Sequence, residues 1–343
     1  MAINTSIYAP TQSRWGISEE SAFGTPVADA GNYEMCEGEI PKINWGLQRD
    51  LSVKFNGSRV PFASNQYSTT TGQIRSIPFS DVILRRTDLC NYMVAVMQNV
   101  TEAVGSPYQK LFQWYYSTTQ PTFVTTNGKY YTVGIVGPIA SYMQKFTSCI
   151  LKTLTLKPGA QGRLVGSGEW ISGFAPLTTA NFTAANFVYN TQNYYNCNAL
   201  SLKQIAAADI VLYDWSVTFD NGAVPMSWGS TGEVESWALA CAPEGYKIIG
   251  NLVVKYDAVS QAYIADALAG TGRKIQLSIG TGGVAGYFDI TLNSCIFGDG
   301  TDKDYGRAEG QAISLPFTAV YDGANAVATI TVSDGVDQTW VDF

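Results

Sequence analysis

The chain contains no histidine. That removes the side chain that most often serves as a general base near neutral pH and most often binds transition metals. Ser-His-Asp and Cys-His constellations are excluded with it. Any catalysis would rest on carboxylates or lysine, and no acidic pair sits in a context that would drive two pKa values apart. Charge is scarce as well: 14% of the 343 residues are charged, against roughly 25% in an ordinary soluble domain. A surface so short of charge is expected to be covered by other subunits, or else to belong to a neutral secreted β protein rich in Ser, Thr and Asn. There is no Lys/Arg-rich run and the formal charge is −7. The chain is therefore not built to grip nucleic acid, which needs phosphate neutralisation, although nucleic acid sliding past is compatible with it.

The six cysteines, Cys36, Cys90, Cys149, Cys197, Cys241 and Cys295, are scattered without a CxxC spacing. Residues 1–15 are polar and hold no apolar segment of the kind an export leader needs. Reduced thiols in a cytoplasm are the expectation. No run is long and apolar enough to span a membrane, so no membrane contact is expected. Neither an enzymatic activity nor a cofactor is expected.

What the sequence does have is alternation. In Leu212–Asp220, Tyr213, Trp215, Val217 and Phe219 point one way and Asp214, Ser216, Thr218 and Asp220 the other, before the turn signal Asp220-Asn221-Gly222. Such a run is a strand with one buried and one wet face. The pattern recurs at 252–256, 275–279, 288–292, 313–317 and 328–332. Earlier strands are expected at 33–40, 47–55, 73–79, 112–116, 129–136, 147–157 and 163–172, the last two split by the Pro158-Gly159 turn. Two helices interrupt them. Thr87 is the expected N-cap of the first, whose Leu89, Tyr92, Met93, Val96 and Met97 form one apolar stripe. Asp257 is expected to cap the second, which carries Val259, Ala262, Tyr263, Ile264, Ala267 and Leu268 and ends at Gly270.

The length exceeds what one core usually serves. The expected organisation is an N-terminal arm at 1–32, a first domain at 33–190 and a second at 191–343. The fold class is mainly β: two tandem sandwich- or barrel-like domains, each with one packed α-helix.

Few motifs carry chemistry. The GDGTDKDYG loop, with Asp299, Asp302 and Asp304, places Lys303 where a calcium ligand belongs and reads as an exposed loop. Gly280, Gly282 and Gly283 follow a strand but open no helix, so a hairpin turn is expected rather than a phosphate cradle. The aromatic clusters Trp114–Tyr116, Tyr130–Tyr131 and Tyr194–Tyr195 suit a subunit interface or a sheet core, or alternatively sugar stacking. Glu34, Glu37 and Glu39 lie on one early strand. They read either as an exposed edge that resists aggregation or as the acidic lining of a channel.

Four stretches together resemble the tail tube proteins of long-tailed bacteriophages, in particular those with two tube domains in one chain. They are SRWGISEESAFGTP at 13–26, TDLCNYMVAVMQ at 87–98, FTSCILKTLTLKPGAQGRLVGSGEWISG at 146–173, and the series GYKIIGNLVVKYDAVSQAYIADAL, KIQLSIG and YFDITLNSCIF between 245 and 297. The high Tyr content departs from that pattern. The resemblance implies a structural subunit that self-assembles into stacked rings, trimeric with pseudo-six-fold symmetry, whose acidic lumen conducts DNA during ejection. It implies Glu34, Glu37 and Glu39 as lumen-facing. It implies a ring-stacking loop at 56–72 with Asn56, Arg59, Gln66 and Tyr67, and an inter-ring arm with Arg14, Trp15, Glu19 and Glu20. The partners would be other copies of the chain, tape-measure, tail-tip and tail-terminator proteins, and double-stranded DNA in passage. The location would be the virion tail, assembled in the host cytoplasm. Six domains from three chains, lending about four strands each at ~4.8 Å, give a backbone diameter of about 37 Å and a bore of roughly 25 Å. That bore admits a DNA duplex. The rival readings are a β-sandwich adhesin or receptor-binding module that recognises glycans through aromatic residues and, more remotely, a carboxylate-dependent glycoside hydrolase.

Overall fold

A computed structural model describes residues 13–29, 31–44, 74–98, 101–103, 109–114, 122–123, 129–137, 144–178, 184–228, 233–238, 245–298, 303–304 and 311–335. The fold is mainly β. Its principal strands are β1 (Arg14–Glu19), β2 (Tyr33–Met35), β3 (Arg75–Ile83), β4 (Gln109–Trp114), β5 (Tyr131–Val136), β6 (Gln144–Pro158), β7 (Leu164–Ser172) and β8 (Leu200–Ile205). They continue with β9 (Leu212–Asp220), β10 (Val224–Trp228), β11 (Val234–Ala238), β12 (Lys247–Lys255), β13 (Arg273–Ile279), β14 (Tyr287–Phe297), β15 (Ala312–Ala319) and β16 (Ala328–Ser333). Helix α1 spans Arg86–Met97 and α2 spans Ala258–Ala269.

β6 organises the sheet. Its first residues pair with β5, in register Tyr131↔Cys149. The remainder pairs with β7 on one side and with β9 on the other, in register Thr218↔Thr155. The bend between the two parts lies at Ser148, whose φ of 46° is unusual for a non-glycine residue. Glu20 clamps it. The Ser148 amide and hydroxyl both donate to the Glu20 carboxylate, at 2.7 and 2.6 Å, and the Thr132 hydroxyl adds a third bond at 2.7 Å. Those donors satisfy a buried carboxylate whose pKa burial pushes up.

From β9 the sheet runs on through β12 to β15, then across the end of β14. There β14 is flanked by β13 and β16, and β16 pairs with β4. Strands from both sides of position 190 are thus hydrogen-bonded to each other, β6 to β9, β4 to β16 and β11 to Thr122–Phe123. One hydrophobic cluster also holds Trp15, Leu154 and Trp170 together with Trp215, Leu252 and Ile290. The expected boundary at 190/191 therefore does not separate two cores: the halves interleave.

The expected arm needs a larger correction. Within 1–32, residues 14–19 are strand β1, paired along its length with β5 and also with β2. Trp15 and Ile17 are buried in the main core. The core partners that make Trp15 an interior residue, Phe79 among them, lie far along the chain.

Both helices pack on the sheet. α1 lies against β4, β6 and β16, and its buried residues include Cys90, Val94 and Ala95 as well as the expected stripe. It is therefore enclosed on all sides rather than along one face. Its N-cap is Arg85, not Thr87. The Arg85 amide donates to Asp88 Oδ2 at 3.0 Å, and the Thr87 amide instead meets Gln192 Oε1 at 3.1 Å. α2 begins as expected at Asp257, which accepts from the Val259 and Ser260 amides, and ends at Gly270 with φ 63°.

Candidate functional site

The acidic strand residues do not form a wet lining. Glu34 lies between β2 and the first turn of α1. Asn91 Nδ2 donates to one of its carboxylate oxygens and Asn190 Nδ2 to the other, at 3.3 Å. The same Asn190 amide donates to Asp88 Oδ1 at 2.7 Å. Burial, then the adjacent Asp88 carboxylate, pushes the Glu34 pKa up to about 9. Near neutral pH the Glu34 carboxyl therefore keeps its proton. Glu37 is held by Arg85, with Nε at 2.7 Å and the guanidinium at 2.5 Å, and accepts from the Tyr194 hydroxyl at 3.3 Å. Only Glu39 is exposed. The lumen-facing expectation is thus corrected for Glu34 and Glu37, and the expected strand 33–40 is shortened to Tyr33–Met35 with a lone bridge from Glu37 to Ile83.

This network performs a structural task. Asn190, Gln192 and Tyr194 come from one segment, and each is tied to the head of α1 or to β2. Arg85 donates to the Gln192 carbonyl at 2.8 Å and stacks on the Tyr194 ring at 4.2 Å, with Arg163 on the same ring at 4.6 Å. The segment is a latch across the helix N-terminus. Residues 174–198 carry no helical or strand period. Their concentration of amides and tyrosines (NTQNYYNCN) was the available signal, since side chains of this kind pin loops where ladders do not.

The proposed arm residues are likewise used within the chain. Trp15 is core and Glu20 clamps the β6 bend, so neither reaches another ring. Glu19 pairs with Lys129 at 2.5 Å, and Arg14 lies 5.9 Å from the Tyr189 ring centre. Asn56, Arg59, Gln66 and Tyr67 lie outside the described residues, as does most of the 298–310 loop. The Gly280–Gly283 stretch is, as expected, within the β13–β14 hairpin connection. Of the aromatic clusters, Trp114, Tyr130, Tyr131 and Tyr195 are buried and Tyr194 is half-buried, while Tyr115 and Tyr116 lie outside the described residues. Cys36, Cys90, Cys149, Cys197 and Cys295 are free and buried. Among the described residues, no cluster of acidic or cysteine side chains is arranged to hold a metal and no helix is long and apolar enough to cross a membrane.

The surface feature that stands out was missed at the sequence level. Strands β10 and β11 join Thr122–Phe123 in a separate three-stranded sheet with β10 at its edge. Val234 and Trp237 of β11 anchor it on Tyr130, Ile150, Ile171 and Ala223. β10 itself reads VPMSW, without a charge, and exposes Met226 (61%) and Trp228 (41%). Soluble proteins usually blunt such an edge with lysine, proline or a bulge. Here Pro225 and the register shifts along β10 are the only such devices among the described residues.

No known protein-family profile and no curated protein matches this chain.

Proposed function

We propose that this chain is the structural subunit of a phage tail tube. It assembles with copies of itself into rings, trimeric with pseudo-six-fold symmetry, that stack into a conduit for double-stranded DNA in the virion tail. The observation that carries this reading is the β10 edge. The strand at this sheet edge has no charged residue and exposes the large apolar side chains of Met226 and Trp228. That is what a strand looks like when its partner belongs to another subunit. Low overall charge and the sequence resemblance agree with it. The acidity of the bore would come from Glu39 and other exposed carboxylates, because Glu34 and Glu37 are consumed inside the subunit. Repulsion of phosphate over a Debye length of about 8 Å would keep DNA centred. Tape-measure, tail-tip and tail-terminator proteins would meet the ends of the tube. Burial of Trp114, Tyr130, Tyr131 and Tyr195 withdraws support from the glycan-binding alternative.

The test is electron microscopy of the purified chain through a concentration series, beside the Met226→Lys variant. The expected result is hollow rings or tubes for the natural sequence and a loss of assembly, at unchanged melting temperature, for the variant. Compact dispersed particles under every condition would overturn the proposal.

A further inference from the structure

Helix α2 presents an uncharged outer face. It packs on the sheet through Ser260, Tyr263 and Asp266, with Ile264 and Ala267 partly buried against the core beside Tyr263. Each of the first three has a partner that fixes it. Tyr263 stacks on Phe297 at 5.7 Å and donates its hydroxyl to the Ile205 carbonyl at 3.4 Å. Asp266 accepts a two-pronged bond from Arg273 at 2.8 and 2.6 Å. Ser260 completes the cap with Asp257. These anchors set the rotation of the helix. They leave Ala258, Gln261, Ala262, Ala265, Leu268 and Ala269 facing outward, with Leu268 85% exposed and Val259 on the flank at 45%. An amphipathic helix on a free surface carries charged side chains there; this face has none.

We infer that the outer face of α2 is a contact between copies of this chain, a deepening of the tube reading on which it rests. Two arguments select the occupant. The first is charge. Each chain carries a net −7, so copies repel, and a face without a single ionised side chain is where they can approach with least penalty. The second is area. A twelve-residue helix is about 18 Å long and about 10 Å wide, a footprint of roughly 200 Å². Each partner of a stand-alone complex buries ~800 Å². The face is too small to capture a free protein and is effective only against a neighbour already held nearby by other contacts, which is the situation inside a ring or stack. The four outward alanines permit close approach, and Leu268 supplies the projecting side chain.

The experiment places the photo-crosslinker benzoylphenylalanine at Ala265 of the full chain. The irradiated protein is run on a denaturing gel alongside micrographs of the same sample. A covalent dimer band that grows with assembly is expected. The Ala262→Glu/Leu268→Glu variant should raise the concentration needed for assembly by about tenfold or more, with its circular dichroism and melting temperature unchanged. Rings without a dimer band overturn the helix contact and leave the tube reading standing. A dimer band without rings supports the contact and removes the tube reading. Neither band nor rings at any concentration overturns both.

Discussion

Replacing Glu34 by Gln should stabilise the protein at neutral pH and do the reverse in mild acid. The Glu34 carboxyl titrates near 4.5 when exposed and at about 9 in the fold. Between those values the unfolded chain has released a proton that the folded chain retains. Stability therefore falls as pH rises through that window, is highest below it and levels off above it. Each pH unit is worth about 1.4 kcal/mol, so at pH 7.5 the retained proton costs about 4 kcal/mol at most. Gln removes that cost. It also removes an acceptor: Asn91 and Asn190 each donate to a different oxygen of Glu34, and Gln offers only one. The lost bond costs about 1 kcal/mol.

The net expectation is that Glu34→Gln is about 2–3 kcal/mol more stable than the natural chain at pH 7.5. At pH 5, where the titration term has shrunk to under about 1 kcal/mol, the variant should be equal or slightly less stable. Urea unfolding followed by tryptophan fluorescence, in dilute protein at pH 5, 6, 7 and 8, measures both. The informative quantity is the change in the difference with pH, since a packing effect alone would be constant. A difference that stays the same from pH 5 to pH 8 would refute the retained proton on Glu34.

Two further outcomes follow from single contacts. Lys110 and Asp334 form an ion pair at 2.7 Å with both side chains 0% exposed. Lys110→Met leaves the Asp334 carboxylate without its countercharge and should cost about 3–5 kcal/mol in urea unfolding, most of it recovered in Lys110→Met/Asp334→Leu. Gly168 sits where a Cβ would lie 2.1 Å from the Thr153 carbonyl oxygen of the adjacent strand. Gly168→Ala should therefore lower stability by about 1–3 kcal/mol, while Gly282→Ala, with only ordinary contact to Tyr287, should change the melting point little.

Elements whose determinants are local were legible in the sequence. β9 occupies Leu212–Asp220 as its alternation required, and Asp257 and Gly270 bound α2 because a cap involves only neighbouring residues. What depended on distant partners was not legible. The RWGISE stretch looked like an arm because Ser, Thr and Pro surround it, and only the β5 ladder more than a hundred residues later makes it a strand. Glu20 reads as an arm residue from the sequence because the three donors that bury it come from the distant Thr132 and Ser148. Thr87 is a good cap by composition, yet Gln192 takes its amide and Arg85 the cap position. The same reason explains the acidic strand: nothing near Glu34 or Glu37 announces Asn190 or Tyr194.

Helix α2 shows how a correct periodicity places only part of its apolar set inside. Val259, Ala262, Tyr263, Ile264, Ala267 and Leu268 recur at helical spacing, and taking them as the packed stripe is what hydrophobicity alone dictates. The fold turns the helix so that Tyr263 and Asp266 meet the Ile205 carbonyl and Arg273, and Leu268 and Ala262 point outward. A buried carboxylate left unpaired costs more than an exposed leucine loses, so the directional contacts fix the rotation and the apolar ones follow. The stripe is split: Tyr263, Ile264 and Ala267 pack on the core, while Val259, Ala262 and Leu268 are exposed. Apolar side chains in the exposed half bring no stability to the single chain. They bring it only when something covers them, and with the uncharged β10 edge they are the part of the exterior on which the assembly proposal rests.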